Sequence, residues 1–424
     1  MNPKKCILFF LSCLLWLSSA PLVQAADLLS KFHPYLSIKE QFSNNLDLTS
    51  TNEKKDFYTT VQPGIKFSNM DERGGLDLDY SLGAVFYSKY TNLNYISHKA
   101  SMNAKYMTSQ HINFYLKESF IRSEDTRESE YYTTTEENKY VLSTQRERAV
   151  YWRNVLSPTI EYQFGPENRL GLNYRNNLYR TDSSSGNDSH ENFVNPFFTY
   201  WFDKRNGISL DYGFTKGDFE TSPDLTGHRA SARYTNRFSE RSSIFGEYAY
   251  SKRVFDSPGV DYDIHEPIVG ITYALTPTLN ASAQAGYFWK VPESGSRKDG
   301  FSYKADLKNI DPRTTFQISI KGGYTEDFFT SENLGFNRYH RVTGSVTHML
   351  DRHISIGAFG SYERAEFDQP EHKDDIWGIG ARASYSPLKW LTLALEISRR
   401  NRNSDVSTYD YTENRGMLTV TATY

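Results

Sequence analysis

The sequence predicts an all-β fold, a transmembrane antiparallel up-and-down β-barrel of about 18 to 20 strands, with short turns at one end and long loops at the other. Three observations carry that expectation. Segments of about ten residues alternate apolar and polar positions at period two. The connections between them alternate short and long. The 424-residue chain is 15% aromatic but only 38% hydrophobic, too polar for a bundle of membrane helices and too aromatic for a disordered chain.

The N-terminus reads as a leader. Lys4 and Lys5 are followed by an apolar stretch from Ile7 to Leu17, small residues and Val23-Gln24-Ala25. Residues 1–25 are therefore expected to be a signal peptide cleaved after Ala25, leaving 26–424 as a single barrel domain. Cys6 and Cys13 both fall inside the leader, so the rest of the chain has no disulfide and no thiol ligand to offer. Beyond Ala25 no apolar run approaches the roughly 18 residues a membrane helix needs. The other structure able to cross a bilayer is a closed barrel. With 48 basic and 51 acidic residues, the chain lacks the basic footprint of a nucleic-acid binder.

The strands show their period directly. Leu76, Leu78, Tyr80 and Leu82 alternate with Asp77, Asp79, Ser81 and Gly83. Ile208, Leu210, Tyr212 and Phe214 do so with Ser209, Asp211, Gly213 and Thr215. Phe316, Ile318 and Ile320 repeat the pattern, as do Leu391, Leu393, Leu395 and Ile397. Short turns are expected near Met70–Gly75, Ser109–His111, Gly165–Asn168, Asp203–Gly207, Ser239–Ser242, Thr276–Thr278, Asp311–Thr314, Leu350–His353 and Pro387–Lys389, from their Gly, Pro, Asn and Asp content. Longer connections interleave with them, from Asn44–Lys55 to Asn403–Thr408, and the longest runs from Asp125 to Arg146. The interleaving gives twenty strands. A soluble twenty-strand sandwich has no reason to alternate its connections this way.

Pro63, Pro158, Pro196 and Pro267 recur at one level of four strands, where bulges or bends are expected. Tyr162, Phe164, Tyr200, Phe202, Tyr273 and Tyr385 gather near strand ends and read as an aromatic girdle at the headgroup level. The last strand puts Leu418, Val420, Ala422 and Tyr424 on its outward face. A terminal aromatic of this kind is expected to be the signal read by the barrel assembly machinery, with Tyr424 its key residue.

Alternation also assigns the inner face. Its cations are Lys66, Lys105, Lys117, Arg153, Arg175, Arg229, Arg233, Arg237, Lys304, Lys321 and Arg382. Its anions are Asp77, Asp79, Glu161, Asp211, Glu247, Asp306, Glu363 and Glu396. These are the pore-lining candidates. Charged lumens tune selectivity, but facing charges also pair across strands. Arg229, Arg233 and Arg237 form a basic ladder on one strand. The third long loop holds Tyr131, Tyr132 and Tyr140, the candidates for a constriction; an ordinary surface loop is the alternative. Its acidic run Glu124, Asp125, Glu128 and Glu130 is expected to be solvated.

No catalytic motif is present: no Gly-x-Ser-x-Gly, His-Glu-x-x-His or phosphate loop. Ser97-His98 stands alone, and the remaining His residues are scattered without metal-ligand spacing. No enzyme, metal or cofactor is expected.

The stretch Leu156-Ser157-Pro158-Thr159-Ile160-Glu161-Tyr162-Gln163-Phe164-Gly165-Pro166, leading into Leu170-Gly171-Leu172, resembles the β-barrel porin 2 family in its repeat style. The resemblance implies an outer-membrane barrel of a Gram-negative bacterium, and some members of the family are associated with exopolysaccharide or exosortase systems. The expected function is a passive outer-membrane channel for polar solutes, possible saccharides included. The alternatives are a conduit for exopolysaccharide export, working with an envelope secretion system, and a closed structural or adhesive barrel. The short stretch before the first strand argues against a plugged siderophore transporter. Outer-membrane lipids, lipopolysaccharide and the assembly machinery are the expected partners.

Overall fold

The computed structural model describes residues 30–125, 127, 148–183, 186–329, 333, 335–368 and 371–424. The predicted leader lies outside them. Twenty strands follow one another: β1 (Phe32–Ser43), β2 (Asp56–Met70), β3 (Gly74–Tyr87), β4 (Tyr95–Met107), β5 (Ile112–Ser123), β6 (Tyr151–Gln163), β7 (Arg169–Thr181), β8 (Ser189–Trp201), β9 (Asn206–Phe219) and β10 (Leu225–Ser239). They continue as β11 (Ser242–Phe255), β12 (Tyr262–Ala274), β13 (Leu279–Pro292), β14 (Lys298–Ile310), β15 (Thr314–Asp327), β16 (Gly335–Met349), β17 (Ile354–Asp368), β18 (Glu371–Leu388), β19 (Leu391–Ser404) and β20 (Tyr411–Thr423). Each pairs antiparallel with the next, and β20 pairs with β1 from Tyr35–Thr423 to Ser43–Arg415. The ring is closed, so it has no sheet edge to leave unsatisfied in lipid.

The short-turn end is built from one repeated device. Asp71, Asp203 and Asp351 accept, through one carboxylate oxygen, the amides two and three residues further on. Ser109 and Thr276 do the same through their hydroxyls. These side chains satisfy the backbone donors a tight reversal leaves free. The Asn206 side chain and the two backbone donors hold the Asp203 carboxyl below the usual carboxylate range.

The four prolines open the ladder without shifting it. Pairing between β2 and β3 skips from Val61–Ala84 to Gly64–Ser81 around Pro63, and the gaps at Pro158, Pro196 and Pro267 are the same. Proline has no N–H to give, so ladder pairing stops there, yet equal numbers of residues are skipped on both strands. The expected distortion is thus a local opening in register, with no bulge. Beside Pro196, the Asn195 side-chain amide donates to the Tyr212 carbonyl at 2.9 Å in place of a ladder bond.

Alternation separates two faces. Leu36, Ile65, Leu172, Leu210, Ile318, Ile356, Leu395 and Leu418 stand exposed on the outer one. Near the short turns, Tyr162, Phe164, Phe198, Tyr200 and Phe202 form a continuous outer cluster with centroids 5.2–6.3 Å apart. Most buried residues lie on the inner face, toward the long-loop end, with Phe67 and Ala100 on the outer one as exceptions.

Candidate functional site

The cross-strand registers place the predicted lumen charges on the inner face. Asp79 lies opposite Lys66, Asp77 opposite Ser68, and Lys105 between Gly75 and Tyr115. Lys117 faces Ser157, Arg175 faces Phe193, and Glu161 faces Asn113. Asp211 lies opposite Ser231, Arg233 opposite Glu247, Lys304 opposite Lys321, Glu363 opposite Arg341, and Arg382 opposite Glu396.

Many of these charges are paired. Lys66 meets Asp79 at 3.8 Å, Lys304 meets Asp306 at 3.1 Å and Arg175 meets Glu191 at 2.5 Å. Arg341 binds Glu363, and Arg382 donates to the Thr347 hydroxyl at 2.9 Å. The basic ladder is not a uniform row. Arg229 reaches Tyr324, Arg233 binds Glu247, and Arg237 holds Glu167 of a short turn at 2.6 Å.

The dominant feature of the lumen is one the sequence reading missed. A ring of twenty strands about 4.8 Å apart and tilted by about 40° is roughly 40 Å across, so wall side chains alone cannot fill it. The β15–β16 hairpin folds inward into that space. β14 and β15 pair only as far as Tyr303–Gly322, whereas β15 and β16 stay paired to Asp327–Gly335. At the point of departure Gly323 has φ 146°, and Gly335 on the returning strand has φ 64°. Side chains rarely adopt this region, and glycine does so freely.

Beyond Gly323 the hairpin turns in over the inner wall of β9 to β13 as a strap. The Glu326 carboxylate accepts two bonds from Arg253 of β11, at 2.7 and 3.0 Å, and a third from the Tyr262 hydroxyl of β12 at 2.7 Å. The Tyr324 hydroxyl lies 3.4 Å from Glu266 and 3.5 Å from Arg229. Phe328 and Phe336 pack with Leu225, Tyr262, Ile264 and Phe288 in a buried apolar cluster. The Phe329 ring stacks on Phe219 of β9 at 5.3 Å. The Phe329 carbonyl accepts a bond from Arg153 of β6 at 3.0 Å. Since β6 stands nine strands from β15 in a ring of twenty, that bond spans the lumen. Arg153 and Arg229, both expected to line the pore, are in fact held beneath the strap.

Tyr131, Tyr132 and Tyr140, the constriction candidates, lie outside the described residues. The ends of their loop are anchored. Arg127 donates to Glu413 of β20 at 2.6 Å, to Asp125 at 3.0 Å and to the Asn45 carbonyl at 3.1 Å. Arg148 donates to the Tyr87 hydroxyl at 2.9 Å. Burial alone would raise the Asp125 carboxyl, but the Arg127 and Arg415 guanidiniums and the Arg127 amide hold it well below the usual carboxylate range. Asp125 is thus a buried anchor; the expectation that it is solvated does not hold, because Arg127 follows it into the barrel. Ser97 and His98 face opposite sides of the wall: the Ser97 hydroxyl donates to the Gly83 carbonyl inside, and His98 meets Tyr80 outside. They cannot act together.

Residues 219–424 match the family described as Putative beta-barrel porin 2. The match takes in β10 to β20, and with them the strap and the closing strand. Among solved structures, the siderophore receptor PirA from Pseudomonas aeruginosa is similar with a TM-score of 0.53 and 6% identity, over 93% of this chain and 80% of that one. The ferric enterobactin receptor PfeA in complex with BCV-L6 gives 0.53 and 8%, over 93% and 81%. The alcaligin outer-membrane receptor FauA from Bordetella pertussis gives 0.50 and 11%, over 92% and 76%. At these identities the likeness is one of fold. No curated protein matches the chain at a significant level. Fold likeness and family match agree on a β-barrel fold of the outer-membrane kind.

Proposed function

We propose that the chain is an outer-membrane channel for polar solutes, saccharides among them, with an outer mouth narrowed by the β15–β16 strap. The observation that carries the reading is the pairing of an apolar outer face with a charged inner face around a closed twenty-strand ring. Such a ring is wide enough for an aqueous path unless chain crosses it, and charged inner walls select among solutes. The proposal includes the route and orientation. Residues 1–25 direct export and are removed, the terminal strand with Tyr424 engages the barrel assembly machinery, and the long loops meet lipopolysaccharide on the outside of a Gram-negative cell.

The strap favours a second reading. The Arg153–Phe329 contact across the lumen fits a closed structural barrel as well as a narrowed channel. Liposome swelling separates the two. Vesicles carrying the refolded barrel swell in isotonic glucose if the lumen is open. Vesicles that swell no faster than protein-free controls, with the barrel folded, leave the structural reading.

A further inference from the structure

Resting on the channel reading, we propose that the inner wall of β7 to β11 is a binding track for carboxylate-bearing solutes, acidic sugars in particular. Four guanidiniums make it. Arg169, Arg175, Arg233 and Arg237 lie over the rings of Phe197, Phe193, Phe245 and Trp201 at 5.8, 4.6, 4.2 and 3.6 Å from the centroids. Each ring is itself pressed onto a glycine of a neighbouring strand. A Cβ on Gly171, Gly213, Gly270 or Gly207 would come within 2.3–2.8 Å of these rings. The rings are therefore held flat to the wall, and the guanidiniums stand on them toward the lumen.

Each guanidinium has a carboxylate partner, yet the partners are not equally presented. The Arg175 side chain is 39% exposed and that of Glu191 5%; for Arg233 and Glu247 the figures are 42% and 10%. Glu161 is likewise sunk beneath Arg169, whereas Glu167 beside Arg237 is open. The pairs neutralise one another in sum, but a solute in the lumen meets mostly donors. A guanidinium has five N–H groups in a planar fork, and Arg175 spends Nε and Nη2 on Glu191. What remains suits a carboxylate, which pairs with such a fork through two oxygens. Arg233 and Arg237 are four residues apart on β10, about 13 Å along the strand, a spacing that lets one carboxylate be passed between sites. Asp211 of β9 is a further exposed acid on the same wall.

The test uses the whole refolded barrel in micelles. Glucuronate, glucose and succinate are titrated calorimetrically into the wild type and into a variant carrying Arg175→Gln, Glu191→Gln, Arg233→Gln and Glu247→Gln. That variant keeps the net charge and leaves no carboxylate without its partner; heat-modifiable mobility on a gel reports its folding. The wild type is expected to bind glucuronate and not glucose, and the variant to lose at least tenfold in affinity. Succinate binding as well as glucuronate keeps the carboxylate track and removes its preference for sugars. Equal binding of glucose and glucuronate, or equal affinity in wild type and folded variant, overturns it. If the variant does not fold, Arg175→Lys replaces it, because a lysine keeps the charge and loses the fork; unchanged affinity there also overturns the track. A barrel that conducts without binding glucuronate sinks the track and spares the channel. One that binds glucuronate without conducting does the reverse.

Discussion

Glu326→Gln releases the strap with little change of shape. The carboxylate accepts three bonds, two of them from a guanidinium, and both ion-pair partners are largely buried. Bonds to a charged acceptor are worth about 1.5–3 kcal/mol and neutral ones about 0.5–1.5 kcal/mol, so the substitution removes roughly 2–4 kcal/mol from the docked hairpin. Burial of Phe328 and Phe336 contributes about 1.5–3 kcal/mol for each side chain and is untouched. At 1.36 kcal/mol per factor of ten, the population with the strap undocked rises roughly 30- to 1000-fold. Single-channel recording reads this as longer or more frequent open intervals in the variant, with the barrel otherwise intact. Identical open probability in the variant and the wild type would refute the claim that the strap sets the aperture.

Other consequences follow from the same geometry. Gly323→Val forces a branched side chain into a positive-φ backbone and against Ser302, whose Cβ would lie 3.2 Å from the new Cβ. It is expected to destabilise the inward bend by about 1–3 kcal/mol, read as faster proteolysis of the hairpin while the ring stays resistant. The anchor of the third long loop depends on acid. Because the Asp125 carboxyl is held below its ordinary value of 3.8, its ion pair stabilises the docked loop above that pH and is lost as pH falls through the depressed value. Proteolytic protection near residue 127 should thus hold from neutrality to about pH 4 and decline only below it. Deleting Tyr424 removes one closing bond, from its amide to the Pro34 carbonyl at 2.9 Å. Refolding in detergent should change little, while insertion by the assembly machinery should slow several-fold; equal slowing of both would show a purely structural role.

The ring was legible because period-two alternation survives in almost every strand. Leu391 to Ile397 show it most cleanly, and the turn residues mark each reversal. The inner face was legible for the same reason: parity along a strand decides which side a residue faces. The strap was not. Its β15 segment reads as ordinary strand through Thr325, and parity alone puts Tyr324 outside. Only the loss of pairing to β14 after Gly322 turns it inward, a tertiary event that no local pattern records. Two signals were present all the same: the Gly322-Gly323 pair within a strand, and the adjacent Phe328-Phe329 in a connection that should be polar if it faced water. Asp125 was misread for a related reason. A run of acids looks solvated until Arg127, two residues on, is seen to follow one of them into the barrel and meet Glu413 from the far end of the chain.

The account stands most directly on one recording: the wild-type barrel in a planar bilayer, under a salt gradient, before and after Glu326→Gln. It predicts discrete steps in the wild type that become larger or longer in the variant. A folded barrel that passes no current in either form would contradict it and leave a barrel that does not conduct.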